Sequence, residues 1–340
     1  MKDEKPLEVL VTFPLEDHLI EELQQVSPRL HFTFLNAKTI DDVPQDIIAK
    51  VDILYTLTVF PERSQAPNLK WIQFHVSGTD KGIQESIFQD DNVIATNISG
   101  TNAPVVAEYA LMMILALSRS IPKMLELKNQ KIWPNAWDTL MPSELRESTI
   151  GIVGYGSIGR QLARLLQPHN VTILAAKRDA MQPKDTGYTI DGMGDPNGDL
   201  FNRLYPIEAR CSMLKECDFV VVCVPLTSNT KGIIGINELR AMKKGAFLID
   251  VSRGGVVDHD ALINILEEDH LAGAALDVFP EEPLPPDNKL WDFKNVIITP
   301  HMAGIGPKYN SRSVQLFIEN LLRFIDDKSL YNQVDLKKEY

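Results

Sequence analysis

Residues 151–160 read GIVGYGSIGR. Gly154, Gly156 and Gly159 form G-x-G-x-x-G, placed directly after the apolar run TIGIV and directly before a helical pattern. The motif carries meaning only in that strand–turn–helix context. The first glycine permits a tight turn, the second lets a pyrophosphate approach the backbone, and the third lets helix and strand pack closely, with the anion at the positive end of the helix. The stretch therefore predicts a dinucleotide-binding α/β domain.

Six strand-like runs follow one another from Thr149: TIGIVGY, VTILAAK, FVVVCVP, AFLIDVS, AGAALDVF and NVIITP. They are continuous apolar segments without clear alternation, as expected when both faces of a parallel sheet are covered. Upstream, LEVLVTF, LHFTFL, ILYTL, WIQFHV and VIATN alternate with helical patterns near residues 16–25 and 44–51, which predicts a second parallel sheet. At 340 residues the chain has room for two domains. Between them, VAEYALMMILALSRSI (106–121) is a helix apolar nearly all round, to be buried between domains or at a subunit interface. Near the C-terminus, Val314, Phe317, Ile318, Leu321, Leu322 and Ile325 make one helical stripe, expected to return to the first domain. The run 181–209, rich in Gly, Pro and Asp, is a long connection between core strands and reads as functional or mobile.

The strand that follows the glycine turn, the second of the series, ends unusually. An acidic residue about twenty positions on would accept hydrogen bonds from a ribose 2′-hydroxyl. Here Lys177, eighteen residues after Gly159, stands with Arg178. Basic groups attract a 2′-phosphate that a carboxylate would repel, so NADP(H) is the preferred cofactor, with NAD(H) possible.

Arg253 in VSRGGVVD, Asp277 and Glu282 in LDVFPEEPL, and His301 in TPHMAG each follow an apolar strand. In an open parallel sheet these positions line the ligand crevice. With HVSGTD (75–80), NAPVVAEYALMMILALSR (102–119) and VPLTSNT (224–230), they stand in the order of the D-isomer-specific 2-hydroxyacid dehydrogenases, which the sequence resembles over nearly its whole length.

The resemblance implies an α/β architecture of two doubly wound, parallel-sheet, Rossmann-like domains with an active-site cleft between them. Residues 1–102 plus 303–340 would form a discontinuous substrate domain, and 103–302 the dinucleotide-binding domain. It implies hydride transfer between NAD(P)H and a 2-keto acid, giving a D-2-hydroxy acid, most simply from glyoxylate or hydroxypyruvate. His301 would exchange a proton with the substrate oxygen. Glu282, five residues after Asp277, would hydrogen-bond the other imidazole nitrogen and favour the imidazolium near neutral pH. Arg253 would hold the substrate carboxylate with its planar fork. Backbone N–H groups of Ser77 and Gly78 would meet the same carboxylate. The cofactor contacts implied are Ser157 and Ile158 on the turn, Val224 and Pro225 after the next strand, Val251 and Ser252 beside Arg253, and Asp277, His301 and Gly304.

Other features bound the partners. A formal net charge of -12 argues against general binding to nucleic acid or anionic membrane. The N-terminus has no secretory pattern, and no apolar run reaches membrane-spanning length. Cys211, Cys217 and Cys223 suggest neither a disulfide framework nor a metal site, so a cytoplasmic protein without metal is expected. His18, His31, His75, His169, His259 and His270 read as structural. The apolar helix predicts a homodimer. The chain ends soon after its last helix, which argues against a further regulatory domain. The alternative to an enzyme is a dinucleotide-sensing, co-repressor-like protein of the same fold.

Overall fold

The computed structural model describes residues 5–80, 82–89, 92–135, 140 and 142–340. Two compact units divide the chain: Met1–Asn102 with Gly306–Tyr340, and Ala103–Ile305.

The first unit holds β1 (Leu7–Val11), α1 (Asp17–Gln24), β2 (Leu30–Phe34), α2 (Gln45–Ile48), β3 (Ile53–Thr56), β4 (Trp71–Phe74) and β5 (Ile94–Thr96). The strands form a parallel sheet in the order β2-β1-β3-β4-β5. Side chains leave alternate sides of a strand. Leu10, Leu54, Ile72 and Ala95 accordingly join one apolar cluster, and Val9, Val11, Ile53, Tyr55 and Trp71 the other. The second cluster also takes in Val314, Phe317 and Leu321 from the C-terminal helix, residues 309–325. That helix is pinned by Asn320, fully buried, whose amide nitrogen donates to Gln73 Oε1 at 3.3 Å and whose oxygen accepts from Tyr331 N at 2.7 Å.

The second unit begins with α3 (Ala103–Ser118) and α4 (Ile121–Asn129), then β6 (Thr149–Val153), α5 (Ser157–Leu166), β7 (Thr172–Lys177), β8 (Arg203–Pro206), α6 (Arg210–Leu214) and β9 (Phe219–Val222). It continues with α7 (Ile236–Ala241), β10 (Phe247–Asp250), α8 (His259–Glu267), β11 (Gly273–Leu276) and β12 (Val296–Ile298); the C-terminal helix of the first unit is α9. All seven strands are parallel, in the order β12-β11-β10-β9-β6-β7-β8. Ile150, Ile152, Ile173, Ala175, Phe219 and Val221 face α3 and α5, whereas Val153, Leu174, Ala176, Val220 and Val222 face α6, α7 and α8. Both faces are covered, which is why the runs show no alternation in the sequence.

The sheet has one strand more than the six apolar runs predict. β8 lies inside the Gly-, Pro- and Asp-rich connection, pairing Leu174 with Arg203 and Lys177 with Pro206. It is an edge strand with Arg203 and Pro206 exposed, so it lacks the apolar signature of its neighbours. Among the described residues no single helix is long and apolar enough to cross a membrane.

Two buried histidines make stability depend on pH. His75 hydrogen-bonds Tyr55 Oη at 2.6 Å and Asn310 Oδ1 at 3.2 Å, while neither ring nitrogen of His259 has a hydrogen-bond partner among the described residues. Burial pushes each from the ordinary 6.5 down to about 4, against the opposing pull of Asn310 and Glu16 on His75 and of Asp258 and Asp260 on His259. Between those values the unfolded chain binds protons that the folded chain refuses. This stability is complete above pH 6.5 and is lost as the pH falls toward 4, by on the order of 3 kcal/mol per histidine. Calorimetric melting across that window should show Tm falling steeply with acid, and less steeply in His259→Leu.

Candidate active site

Chain order reverses in the second unit at β6. From there the strands run outward to β7 and β8 on one side and through β9 to β12 on the other. The carboxyl ends of β6 and β9 therefore bracket a topological switch point, where open α/β sheets bind ligands.

Gly154 leaves β6 with φ +107, and a methyl group there would lie 2.9 Å from the backbone of Cys223 after β9. Its N–H and that of Tyr155 both donate to Ala176 O, at 3.0 and 3.1 Å. Gly159 packs the helix on the strand, since a methyl group there would stand 2.4 Å from Gly154 O. Gly156 differs: a methyl group would meet no atom of the described residues within 4 Å. Gly156, the residue before α5, has no side chain with which to cap it, so the helix offers the first-turn N–H groups of Ser157 and Ile158 to an anion. A backbone cradle with space over its second glycine fits a dinucleotide pyrophosphate. Cys223 is a component that sequence reasoning missed. Its thiol donates to Gly154 O at 3.0 Å, and burial pushes its pKa up to about 12, so it stays a thiol. Nothing in its spacing signals that role.

The acid–base residues lie beyond β10, β11 and β12. Asp277 directly follows β11 and is 1% exposed. Its carboxylate accepts from Thr299 Oγ1 at 2.6 Å and from the N–H groups of Met302 and Ala303, both at 2.8 Å. Its carbonyl accepts from His301 N at 2.9 Å. The loop after β12 is thus wound around one carboxylate, with His301 at its apex in the left-handed region, φ +52. Tyr109 of α3 braces the loop through a hydroxyl–hydroxyl bond to Thr299.

His301 Nδ1 lies 2.8 Å from Glu282 Oε2, and Glu282 Oε1 accepts from Phe279 N at 2.9 Å. Burial pushes the Glu282 carboxyl up, but the bonds from His301 and Phe279 and the charges of His301 and Arg253 outweigh it, leaving the group below its ordinary range. An ionised carboxylate on Nδ1 fixes the proton there and leaves Nε2 as the atom that gains or loses one. Arg253 stands three residues beyond β10, its Nη1 donating to Ser252 O at 3.0 Å. The next residue ties its loop to that of Glu282: a methyl group on Gly254 would lie 1.9 Å from Phe279 O, so only glycine permits the approach.

The structure therefore brings Arg253, Asp277, Glu282 and His301 to one sheet edge, the edge that also carries the glycine turn. Val251 and Ser252 belong to the Arg253 loop, and Ser252 N donates to Asp250 Oδ1 at 3.0 Å. Val224 and Pro225 follow β9, and Gly304 lies just past His301, where a methyl group would come 3.9 Å from Val106. Lys177 ends β7, and its Nζ donates to Gln182 O at 2.5 Å; Arg178 is exposed beside it. Ser77 and Gly78 belong to the other unit, in the bend that follows β4. Among the described residues no group of three or more His, Cys, Asp or Glu side chains is placed to share a metal ion.

The chain is similar to known proteins. The model of the D-isomer specific 2-hydroxyacid dehydrogenase NAD binding domain matches residues 111–303. A glyoxylate reductase from Thermofilum pendens is 36% identical over 260 residues, covering 76% of this chain and 72% of the relative. An (S)-sulfolactate dehydrogenase from Chromohalobacter salexigens is 34% identical over 239 residues, 69% of this chain and 71% of the relative. Among solved structures, a D-isomer specific 2-hydroxyacid dehydrogenase from Xanthobacter autotrophicus Py2, in complex with NADPH and MES, superposes with a TM-score of 0.81 at 26% identity, covering 99% of this chain and all of the other. A strand-by-strand Rossmann-type sheet, a glycine cradle at its switch point and a family match across more than half of the residues lead to one conclusion: the chain belongs to the D-isomer specific 2-hydroxyacid dehydrogenases, NAD(P)-dependent oxidoreductases.

Proposed function

We propose that this enzyme reduces a small 2-keto acid, glyoxylate or hydroxypyruvate, to the D-2-hydroxy acid, with NADPH preferred over NADH. The observation that carries the reaction is the 2.8 Å contact between His301 Nδ1 and Glu282 Oε2, on the sheet edge that bears the glycine cradle. Glyoxylate reduction by the Thermofilum pendens relative supports the substrate class, and NADPH in the Xanthobacter structure supports the cofactor.

The residues would hold the dinucleotide through the backbone of Gly156, Ser157 and Ile158, flanked by Val224 and Pro225 and by Val251 and Ser252, with Lys177 and Arg178 toward the 2′-phosphate and Asp277 and Gly304 toward the other end. When bound, the nicotinamide supplies the hydride. The protein then has three tasks. Arg253 pairs its guanidinium with the substrate carboxylate and orients the carbonyl. His301 delivers a proton from Nε2 to the carbonyl oxygen and takes one back in the reverse direction. Glu282 holds the ring and stabilises the positive charge it carries while loaded.

We further propose a cytoplasmic homodimer. Three free cysteines suit a reducing compartment. Met112 and Leu115 of α3, Ile121, Met124 and Leu125 of α4, and Trp133, which is 97% exposed, form a run of uncovered large apolar side chains. Such a surface is the ordinary driver of two-fold association.

Four measurements test these readings. In steady-state reduction of glyoxylate, His301→Ala should lower kcat by about 10²–10⁴ while dinucleotide binding survives; full activity would remove His301 from the proposed role. Glu282→Gln keeps the hydrogen bond but loses the charge, so the alkaline limb of the reduction rate should move to lower pH. Gly156→Ala should leave the unliganded Tm unchanged, because the added methyl meets nothing, yet weaken dinucleotide binding roughly tenfold or more. In light scattering at micromolar concentration the wild type should be a dimer, and Leu125→Glu with Met112→Glu should shift it to monomer.

A further inference from the structure

The segment between β7 and β8 is fastened to the glycine turn and its helix. Tyr155, the residue between Gly154 and Gly156, is 1% exposed, and its hydroxyl donates to Asp195 Oδ2 at 2.7 Å. Asp195 is equally buried and also accepts from the N–H groups of Gly198, Asp199 and Leu200, at 3.0 to 3.1 Å. These bonds outweigh the effect of burial and hold its carboxyl below the ordinary range. From α5, the buried Arg160 donates to Asp195 O and to Pro183 O, both at 2.6 Å, and so grips the two arms of the segment at once. Its guanidinium lies 4.9 Å from the centre of the Tyr155 ring. One turn further along, Arg164 Nε donates to Gly194 O, while Gly194 N donates to Gln161 Oε1, each at 2.6 Å.

The same segment holds Lys177. Asp179 caps a tight turn, accepting from Met181 N at its carboxylate and from Gln182 N at its carbonyl. The turn presents Gln182 O to Lys177 Nζ at 2.5 Å, and the next residue is Pro183, the one Arg160 grips. A continuous path of contacts thus runs from Tyr155 through Asp195, Arg160, Pro183 and Gln182 to Lys177. The acceptor at its end is a neutral carbonyl, which orients the ammonium without cancelling its charge. Burial and the charge of Arg160 disfavour that ammonium more than Asp185 and Asp179 favour it, leaving its pKa below the ordinary value. The end of β7 therefore gains from an added anion.

We infer that residues 179–200 are a built specificity strap, and that Tyr155, Arg160 and Asp195 are positioning residues that hold Lys177 where it distinguishes a 2′-phosphate from a 2′-hydroxyl. The inference rests on the NADPH preference proposed above. Its physical basis is preorganisation: lysine has four side-chain carbons and high rotamer entropy, and a lysine already oriented loses less on binding. Loosening the strap should therefore weaken the contact with the 2′-phosphate and leave the rest of the nucleotide site intact.

Binding of adenosine 2′,5′-bisphosphate and adenosine 5′-monophosphate, which differ by the 2′-phosphate alone, reads this directly by calorimetry. The proteins compared are wild type, Tyr155→Phe, Asp195→Asn and Lys177→Ala, each with its Tm recorded. Tyr155→Phe keeps the buried ring and removes one hydroxyl; Asp195→Asn keeps the shape and removes the charge. Wild type should prefer the bisphosphate, and Lys177→Ala should abolish the preference. In Tyr155→Phe the preference should fall about fivefold or more, while affinity for the monophosphate changes less than about twofold. A wild-type preference that Lys177→Ala abolishes, but both strap variants retain, would overturn the strap and leave the NADPH reading standing. Equal weakening of both ligands would also overturn it, since the segment would then be scaffold only. No preference in wild type would defeat the NADPH reading itself.

Discussion

A buried carboxylate without a cation beside it must be supplied with donors, because an unpaired charge removed from water costs several kcal/mol. Asp277 meets that demand with one side-chain hydroxyl and two backbone N–H groups, all from the five residues that follow β12. Once those bonds are made, the path of the loop is settled. His301 must turn through the left-handed region, and its ring is carried to Glu282. Glu282 is in turn fixed by Phe279 N, and the Phe279 carbonyl lies against Gly254, beside Arg253. Three loops that leave three adjacent strands are therefore one interlocked unit. The precision of the His–Glu contact depends on a carboxylate that need not touch the substrate.

The parts of this arrangement that were legible in the sequence are those with a local cause. The glycine turn can be read because each glycine answers a separate steric demand, and the structure shows all three: a positive φ and a close carbonyl at Gly154, open space at Gly156, and helix against strand at Gly159. Among the described residues, eleven of the twelve strands announce themselves as apolar runs. β8 does not, because an edge strand with exposed Arg203 and Pro206 buries too little to leave a pattern. Legibility failed where partners are distant in the chain. Tyr155 and Asp195 are forty residues apart, and Arg160 and Pro183 twenty-three; no periodicity connects a tyrosine in a glycine turn to an aspartate in a Gly-Pro-Asp run. The run was therefore open to a reading as mobile, although its backbone is extensively hydrogen-bonded. Cys223 was passed over for a similar reason, since its work is done by burial under Gly154 and not by any spacing.

The basic residues at the end of β7 acquire a sharper meaning in this setting. A lysine at that place is by itself compatible with a solvated side chain, and in a protein of formal net charge -12 a surface lysine is unremarkable. What changes the weight is the partner. The only acceptor within hydrogen-bonding distance of Lys177 Nζ among the described residues is a main-chain carbonyl, supplied by a turn that Asp179 closes with its own carboxylate. The acidic neighbour Asp179 favours the ammonium by its charge, but its carboxylate accepts its hydrogen bond from Met181 N. The hydrogen bond that orients Lys177 thus goes to a neutral group, in a protein that as a whole is acidic.

The two aspartates that end or follow β10 and β11 show how one edge divides its charges. Asp277 has donors on both oxygens, whereas Asp250 offers Oδ1 to the N–H and hydroxyl of Ser252 and leaves Oδ2 fully buried without a hydrogen-bond partner among the described residues. Burial, with the charge of Asp277 adding to it, pushes Asp250 up to about 7 against the opposing bonds from Ser252. Two ionised carboxylates on adjacent strand ends would repel in a low-dielectric interior, and a proton shared toward the less solvated one removes the conflict. Asp277 N donates to Asp250 O, so the two residues cannot separate without breaking the ladder between their strands. The edge thus tolerates a second acid only as a group poised near neutrality, and spends its backbone donors on the carboxylate that shapes the histidine loop.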